Sequence, residues 1–150
     1  MQRFVPWKIN IVKLNDSAKL PTRGSEYAAG YDLYAAIEEP VVINPHETKK
    51  IGTGIAIALP MQTFGAIFAR SGLATKNGLR PANCVGVCDS DYRGEYIVAV
   101  HNDSKEIQVI HPGDRIAQVV VLPFIPVEWN EVEDLDETSR GADGFGSTGQ

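Results

Sequence analysis

Residues 83–95, NCVGVCDSDYRGE, carry the residue types that nucleotide chemistry needs. Asn83 offers an amide that both donates and accepts hydrogen bonds, so it can read the edge of a pyrimidine. Asp89 supplies a carboxylate that can take a proton from water, and Tyr92 supplies a ring. We predict a β-hairpin with these groups at its turn. Because Asp-Ser-Asp is also ordinary turn composition, this segment alone leaves a plain turn open.

The C-terminal arm, residues 140–150, has almost nothing that a hydrophobic core could use. It holds four glycines in its first ten residues, which free the backbone to approach a ligand closely. Arg140 can bind a phosphate, Phe145 offers a stacking face, and Ser147 and Thr148 add hydroxyls. The pattern indicates an arm that closes over a base and a phosphate. A frayed, solvated tail is the alternative.

A second group lies where a strand is expected to end and a helix to begin. We predict a helix from Ser71 to Lys76, with Ser71 as its N-cap and Gly78 ending it. Unpaired backbone N–H groups, the Arg70 guanidinium and the open backbone at Gly72 together predict an anion site. The spacing differs from that of a Walker loop.

Two further polar residues stand at strand ends. Asp32 follows Gly-Tyr and belongs to a turn leading into a strand or faces the water shell of a metal ion. Gln118 interrupts an apolar run, and a buried amide needs partners. It either bonds to the backbone or orients a water and a phosphate oxygen.

Composition narrows the class of protein. The chain has 150 residues, 43% of them hydrophobic, and a net charge of −5 without any basic patch, which argues against DNA or RNA as a partner. It contains neither an uninterrupted apolar run of membrane-spanning length nor an apolar leader at its start, so we expect a cytosolic protein. Cys84 and Cys88 are too few for a disulfide framework, and we expect small apolar filler.

Short β-branched and aromatic runs separated by turn residues predict a mostly β chain folded as a sandwich or barrel. We expect one domain with a β body (1–127), an acidic tether (128–139) and the glycine-rich arm (140–150). The predicted strands are 8–14, 41–43, 50–59, 63–69, 94–101, 106–110 and 115–124.

Taken in order, five segments resemble the five motifs of the trimeric dUTPases, the deoxyuridine triphosphate nucleotidohydrolases. They are AGYDL (29–33), ARSGLA (69–74), the 83–95 segment, PGDRIAQ (112–118) and the arm. The resemblance implies an all-β, jelly-roll-like barrel or sandwich of the β-clip type with one short helix and a flexible C-terminal arm. It also implies a homotrimer whose active sites combine several chains, and hydrolysis of dUTP to dUMP and pyrophosphate with Mg²⁺. That activity keeps uracil out of DNA and supplies dUMP for thymidylate synthesis.

The same resemblance assigns roles to individual residues. Asp89 would activate the attacking water, and Tyr92 would pack under the deoxyribose and exclude a 2′-hydroxyl. Asp32 would meet magnesium through water, and Phe145 would stack on uracil. Uracil would be held by Asn83 and the backbone that includes Val87 and Cys88, and the phosphates by Arg70, Ser71, Gly72, Gln118, Arg140, Ser147 and Thr148.

Two positions depart from the family's pattern. Asp143 stands where many relatives have glycine and would weaken closure of the arm by repulsion. Cys88 replaces the usual isoleucine or valine, with little effect expected unless it is oxidised. Two alternatives stay open at this point: a dCTP deaminase of the same fold, and a nucleotide-gated regulatory protein with its own protein partner.

Overall fold

A computed structural model describes residues 5–146, which form short antiparallel strands and one helix. The all-β class with a single short helix is thereby confirmed. The helix α1 (Ser71–Asn77) lies between β6 and β7. The strands are β1 (Asn10–Lys13), β2 (Tyr31–Tyr34), β3 (Val41–Ile43), β4 (Thr48–Gly52), β5 (Ile55–Ala58), β6 (Thr63–Phe68), β7 (Leu79–Pro81), β8 (Gly86–Asp89), β9 (Ile97–Asn102), β10 (Gln108–Ile110) and β11 (Arg115–Pro123).

The strands pair across long stretches of sequence. One sheet has the order β2-β11-β6-β8, a second has the order β4-β9-β7, and two further pairs join β1 to β5 and β3 to β10. Every named pair is antiparallel. The first sheet positions the candidate site, because β2, β11 and β8 each carry a predicted site residue and Arg70 follows shortly after the end of β6.

The core forms because apolar residues alternate with exposed ones along half-buried strands. In β9, for example, Val98 and Val100 are buried while Ile97 faces outward. The same alternation brings side chains from all the sheets into one cluster. Its largest fully buried side chains are Leu33, Ile43, Ile51, Ile55, Leu79, Val100, Ile110 and Ile116.

The expectation of one continuous strand over residues 50–59 is wrong. Thr53 and Gly54 form a kink between β4 and β5, and Gly54 has a φ of 66°, which glycine adopts without steric cost. The Thr53 side chain is buried, and its hydroxyl donates to the carbonyl oxygen of Tyr96 at 2.5 Å. Gly52, Thr53 and Gly54 interrupt the apolar run at this point, and the two glycines were the available signal for a break.

The prediction that Ser71 caps the helix is also wrong. Arg70 is the N-cap residue, without a side-chain capping bond, and Ser71 is the first helical residue. The Ser71 carbonyl instead accepts a bond from the Thr75 hydroxyl at 2.7 Å. The predicted end of the helix is confirmed, since Gly78 adopts the left-handed conformation with a φ of 67° and closes the last turn through its N–H.

The segment 83–95 is not the hairpin that we expected. Its strand β8 pairs with β6 in the register Asp89 to Phe64 and Gly86 to Ile67, and residues 90–96 contain no strand. The chain turns after β8 through a bond from the Tyr92 N–H to the Asp89 carbonyl at 3.1 Å. β7 was missed altogether, and the ends of several other strands differ from the predicted ones by up to three residues.

Residues 124–146, which we call the C-terminal segment, contain no strand or helix. The Phe124 N–H donates to the Gln62 carbonyl at 3.0 Å, and beyond it the apolar side chains point into solvent. Ile125, Trp129 and Leu135 are each at least 85% exposed. Among residues 5–146, none of the helical structure is long and apolar enough to cross a bilayer.

Candidate functional site

An open pocket of about 270 Å³ lies beside β8, between the end of that strand and the start of β9. Five of the residues that the sequence indicated come together there, although they derive from a turn, a strand and a loop. The pocket therefore brings together the residues that the sequence analysis assigned to the nucleobase, to the sugar and to the attacking water. These five residues are Asn83, Val87, Cys88, Asp89 and Tyr92.

β8 places its residues in alternation around this pocket. Gly86 is buried against Ile67, where an added Cβ would come within 3.0 Å of the Ile67 side chain. Val87 is exposed at 63% and offers an apolar rim, while Asp89 ends the strand with its side chain in solvent. The carboxylate is thus open to water, as a residue that deprotonates water must be.

Residues 90–96, the pocket wall, carry Tyr92. Its hydroxyl donates to the Glu95 carbonyl at 2.9 Å. The ring lies so close to Gly94 that a Cβ there would come within 2.4 Å of the Tyr92 hydroxyl oxygen. Glycine at position 94 is therefore required for the observed position of the ring.

Tyr96, at the end of the wall, and Cys88 of β8 form a neutral floor to the pocket. Burial raises the pKa of the Tyr96 hydroxyl and the pKa of the Cys88 thiol, so both stay protonated at neutral pH. The Tyr96 hydroxyl is buried with no hydrogen-bond partner among the described residues. It fits over Gly65, where an added Cβ would lie 3.2 Å from its oxygen.

Asp32, Arg70 and Arg115 form a charged cluster at the other end of the same sheet. Arg70 donates to one carboxylate oxygen of Asp32 at 2.8 Å, and Arg115 donates to the other at 3.3 Å. Two guanidinium groups share one carboxylate, which leaves a net charge of plus one. Both arginines also line a second pocket of about 350 Å³ together with Asp114, so they offer guanidinium donors to an anion there, although the Asp114 carboxylate offsets part of their charge.

Gln118 bonds to the backbone through one N–H of its amide. Its Nε2 donates to the Ala69 carbonyl at 2.8 Å, and a Cβ at Gly30 would clash with its Oε1 at 2.1 Å. The backbone contact, one of the two alternatives, is therefore present. Nearby, Ser71 and Gly72 are exposed at the start of α1, with open space where a Gly72 side chain would lie.

The two parts of the candidate site lie far apart within one chain. In the registers of the first sheet, Asp89 is level with Phe64, whereas Asp32 and Gln118 are level with Phe68. Asp89 and Asp32 are separated by four residues along β6 and three strand spacings. At about 3.3 Å per residue and about 4.8 Å per strand, the two Cα atoms are about 20 Å apart.

The described part of the arm, residues 140–146, lines neither pocket. The Nε of Arg140 donates to the Asp143 carbonyl at 2.9 Å in a local turn. Phe145 is fully exposed with a φ of 52°. Ser147 and Thr148 lie outside the described residues.

Sequence reasoning missed three residues of this region. Arg115 stands in the PGDRIAQ segment without an assigned role, yet it binds Asp32. Glu95 and Tyr96 connect the pocket wall to the body through contacts with residues 53–55. A charged residue at the start of a strand was the available signal for Arg115, but none pointed to the wall contacts.

The described residues offer no group of three or more side chains arranged to bind a metal. Asp32 is a single carboxylate with each oxygen already bonded to a guanidinium. This donor set does not suit a directly bound ion. It suits Mg²⁺ that keeps water and phosphate oxygens as its own ligands and meets the carboxylate through water.

A family model described as dUTPase matches residues 16–149. The chain is 52% identical to the deoxyuridine 5'-triphosphate nucleotidohydrolase of Desulfitobacterium hafniense strain DSM 10664 / DCB-2, over 95% of each chain. It is 45% identical to the enzyme of that name from Coxiella burnetii strain Dugway 5J108-111, over 100% of this chain and 99% of the relative.

Solved structures resemble this fold closely. The Staphylococcus bacteriophage 80alpha dUTPase with dUpNHpp superposes with a TM-score of 0.83 at 29% identity, over 95% of this chain and 99% of the other. A mutant dUTPase from phage phi11 of S. aureus, which coordinates a structural Mg(II) ion, gives a TM-score of 0.76 at 27% identity, over 87% and 99%. The names of these relatives do not favour the dCTP deaminase alternative.

Proposed function

Since the chain belongs to the dUTPase family, we propose that it hydrolyses dUTP to dUMP and pyrophosphate. Water attacks the α-phosphorus, the bond from that phosphorus to the bridging oxygen breaks, and pyrophosphate leaves. The observation that carries the proposal is the single pocket that holds Asn83, Asp89 and Tyr92 together. Family membership and the names of the relatives support dUTP as the substrate.

In the pocket beside β8, Asn83 and the backbone of β8 hold uracil. Val87 forms the apolar rim of this pocket, and Cys88 forms one of its apolar sides. Tyr92 lies under the deoxyribose and leaves no room for a 2′-hydroxyl. The exposed Asp89 takes the proton from the attacking water. The neutral floor of the pocket, formed by Tyr96 and Cys88, supports this assignment of roles, because neither side chain places a second charge beneath the nucleobase.

The phosphates bind at the charged cluster and at the start of α1. Arg70 and Gly72 hold phosphate oxygens through charge and an open backbone, with Ser71, Gln118, Arg140, Ser147 and Thr148 as the further contacts. The family is in general Mg²⁺-dependent, and Asp32 is the residue that would hold a bound Mg²⁺ through its water shell, where the ion would supply neutralisation of phosphate charge. The net positive charge of the cluster supports this placement.

The active enzyme is a homotrimer whose sites combine chains. A water beside Asp89 and a phosphate beside Asp32 cannot belong to one nucleotide when the two residues are about 20 Å apart in one chain. A second copy therefore supplies the phosphate side. The exposed apolar side chains of the C-terminal segment support contacts with another copy, and its arm closes over a site away from its own body.

We also propose the division into a β body (1–127), a tether (128–139) and an arm (140–150). The absence of strand and helix over residues 124–146 supports it. A cytosolic location is proposed because the substrate is a free nucleotide. A regulatory protein partner stays open as a second role, without support from the contacts described above.

Pyrophosphate release from each of the four usual deoxynucleoside triphosphates, dUTP and UTP tests the reaction. We expect rapid release from dUTP with Mg²⁺, and at least about 10²-fold slower release from the others. Release of ammonia from dCTP would support the deaminase instead. No reaction with dUTP in the presence of Mg²⁺ would refute the proposal.

Mixed trimers test the shared site. Asp89→Asn and Arg70→Ala chains are each expected to be nearly inactive, and after denaturation and refolding together they should regain activity. Recovery follows because some sites then receive Asp89 from one chain and Arg70 from another. Each variant refolded alone is the control, and absence of recovery despite trimer formation in sedimentation contradicts a site built between chains.

A further inference from the structure

Glu95 connects the pocket wall to the β4–β5 kink. Its carbonyl accepts the hydrogen bond from the Tyr92 hydroxyl at 2.9 Å. Its side chain points the other way, and Oε1 accepts a bond from the Gly54 N–H at 2.8 Å. One residue thus joins the ring that faces the sugar to a backbone group 41 positions earlier in the chain.

The next residue strengthens the same connection. The Tyr96 carbonyl accepts from the Thr53 hydroxyl at 2.5 Å and from the Thr53 N–H at 3.2 Å. The Tyr96 N–H donates to the Ile55 carbonyl at 2.8 Å. With the Glu95 bond, four hydrogen bonds hold the end of the wall to residues 53–55.

Glycines shape the place that the Glu95 carboxylate occupies. A Cβ at Gly52 would come within 2.6 Å of Glu95 Oε1, so any other residue at 52 would displace the carboxylate. Gly54 aims its N–H at that oxygen while its φ is 66°. A side chain there would also meet Ala18 and Asn15. Gly52 therefore leaves the space that the Glu95 carboxylate occupies, and Gly54 supplies the N–H that binds it.

We propose that Glu95 is a positioning residue that sets the discrimination between deoxyribose and ribose. By bonding to Gly54 it fixes the carbonyl that holds the Tyr92 hydroxyl, and so fixes the distance between the ring and the sugar. This inference rests on the proposed function, in which Tyr92 excludes a 2′-hydroxyl. Glu95 itself needs no contact with the reacting atoms.

The readout is the ratio of kcat/KM for dUTP to kcat/KM for UTP. In Glu95→Ala the ring loses its fixed position, and we expect the ratio to fall about tenfold, as for a pocket with one methylene of extra room. In Glu95→Gln the amide oxygen still accepts from the Gly54 N–H, so the ratio should stay near its original value. Glu95→Asp keeps the charge but draws the carboxylate back, and it should behave like Glu95→Ala.

Glu47 provides a matched control outside the pocket. Its carboxylate also accepts from a backbone N–H, that of Asn44, at 2.9 Å. Glu47→Ala should alter thermal stability without altering the dUTP/UTP ratio. A structural effect alone would move the melting temperatures of both alanine variants and leave both ratios unchanged.

Each failure has its own result. An unchanged ratio in folded Glu95→Ala or Glu95→Asp, with Tyr92→Ala showing a lowered ratio, overturns the role of Glu95 alone. An unchanged ratio in Tyr92→Ala overturns the sugar contact and the inference with it. If the unaltered protein fails to hydrolyse dUTP, the proposed function itself is wrong.

Discussion

The pocket wall and the C-terminal segment both lack helix and strand, yet they are held in opposite ways. Four hydrogen bonds, two of them to the buried Thr53, fasten the end of the wall to the body. In the described part of the C-terminal segment, every hydrogen bond beyond Phe124 joins residues only three positions apart. The two regions therefore differ in long-range contacts, although both are irregular.

That difference matches the proposed tasks of the two regions. The wall must have its shape before the substrate arrives, because it selects the sugar by size, and buried bonds to a distant part of the chain maintain such a shape. The arm must close after the substrate arrives, and local turns with exposed side chains leave it free to do so. The lack of helix and strand therefore does not by itself distinguish a segment that is held in place from one that is free to close over a ligand.

The largest effect is expected from the exposed end of β8. Asp89→Asn keeps the shape of the side chain but removes the basic oxygen, so kcat should fall about 10³-fold. Binding of a non-hydrolysable dUTP analogue, measured by calorimetry, should change little. A kcat near the original value would remove Asp89 from the mechanism.

Removal of residues 140–150 tests the C-terminal side of the comparison. Loss of a charge-assisted phosphate contact and of stacking should lower kcat/KM about 10²-fold. The melting temperature should stay the same, since no hydrogen bond joins the described part of the arm, residues 140–146, to the body. A trimer that dissociates in sedimentation after this truncation would contradict the division between body and arm.

Thr53→Val tests the wall side. The valine lacks the hydroxyl that donates to the Tyr96 carbonyl, so the free energy of unfolding should fall by about 1 kcal/mol or slightly more. Chemical denaturation measures this change. Thr75→Val is the control, because its hydroxyl bond to Ser71 lies on the exposed side of a helix. Equal losses of unfolding free energy in the two variants would show that the buried wall contact stabilises the fold no more than the exposed helix contact does.

Phe145→Trp reports on closure of the arm. We expect emission from the new tryptophan to be quenched when the non-hydrolysable analogue binds, because the indole then stacks on the base. Trp7 and Trp129 also emit, so the unaltered protein with the same analogue is the reference. Emission that does not change on binding speaks against stacking.

The cysteines give the smallest effect and compare a pocket position with an exposed one. Cys84 is exposed and should react first with a thiol reagent, while Cys88 should react slowly. Burial raises the pKa of Cys88, so its labelling rate should rise only above the ordinary thiol value of about 8.5. The analogue should protect Cys88 and leave Cys84 reactive. Equal protection of both would indicate a wider binding surface.

Local signals predicted much of the fold and of the site. Runs of β-branched and aromatic residues between turn residues identified most strands, and Gly78 marked the end of α1 correctly. Asn83, Asp89 and Tyr92 lie in one pocket, although the hairpin that was expected to carry them is absent. The kink at Thr53 was missed although Gly52 and Gly54 flank it, and its partners Glu95 and Tyr96 are more than 40 positions away in the chain.

The amino-acid sequence by itself determined the class of the protein, because β-branched runs and turn residues act over a few neighbouring positions and the five motifs stand in order along the chain. Only the tertiary structure decided that Asp32 binds Arg115, 83 positions away, and that Glu95 binds Gly54. It also placed Asp89 far from the charged cluster, through the order of strands in the first sheet. Such partners are set by the packing of distant segments against one another, on which the local pattern of residues has no direct bearing.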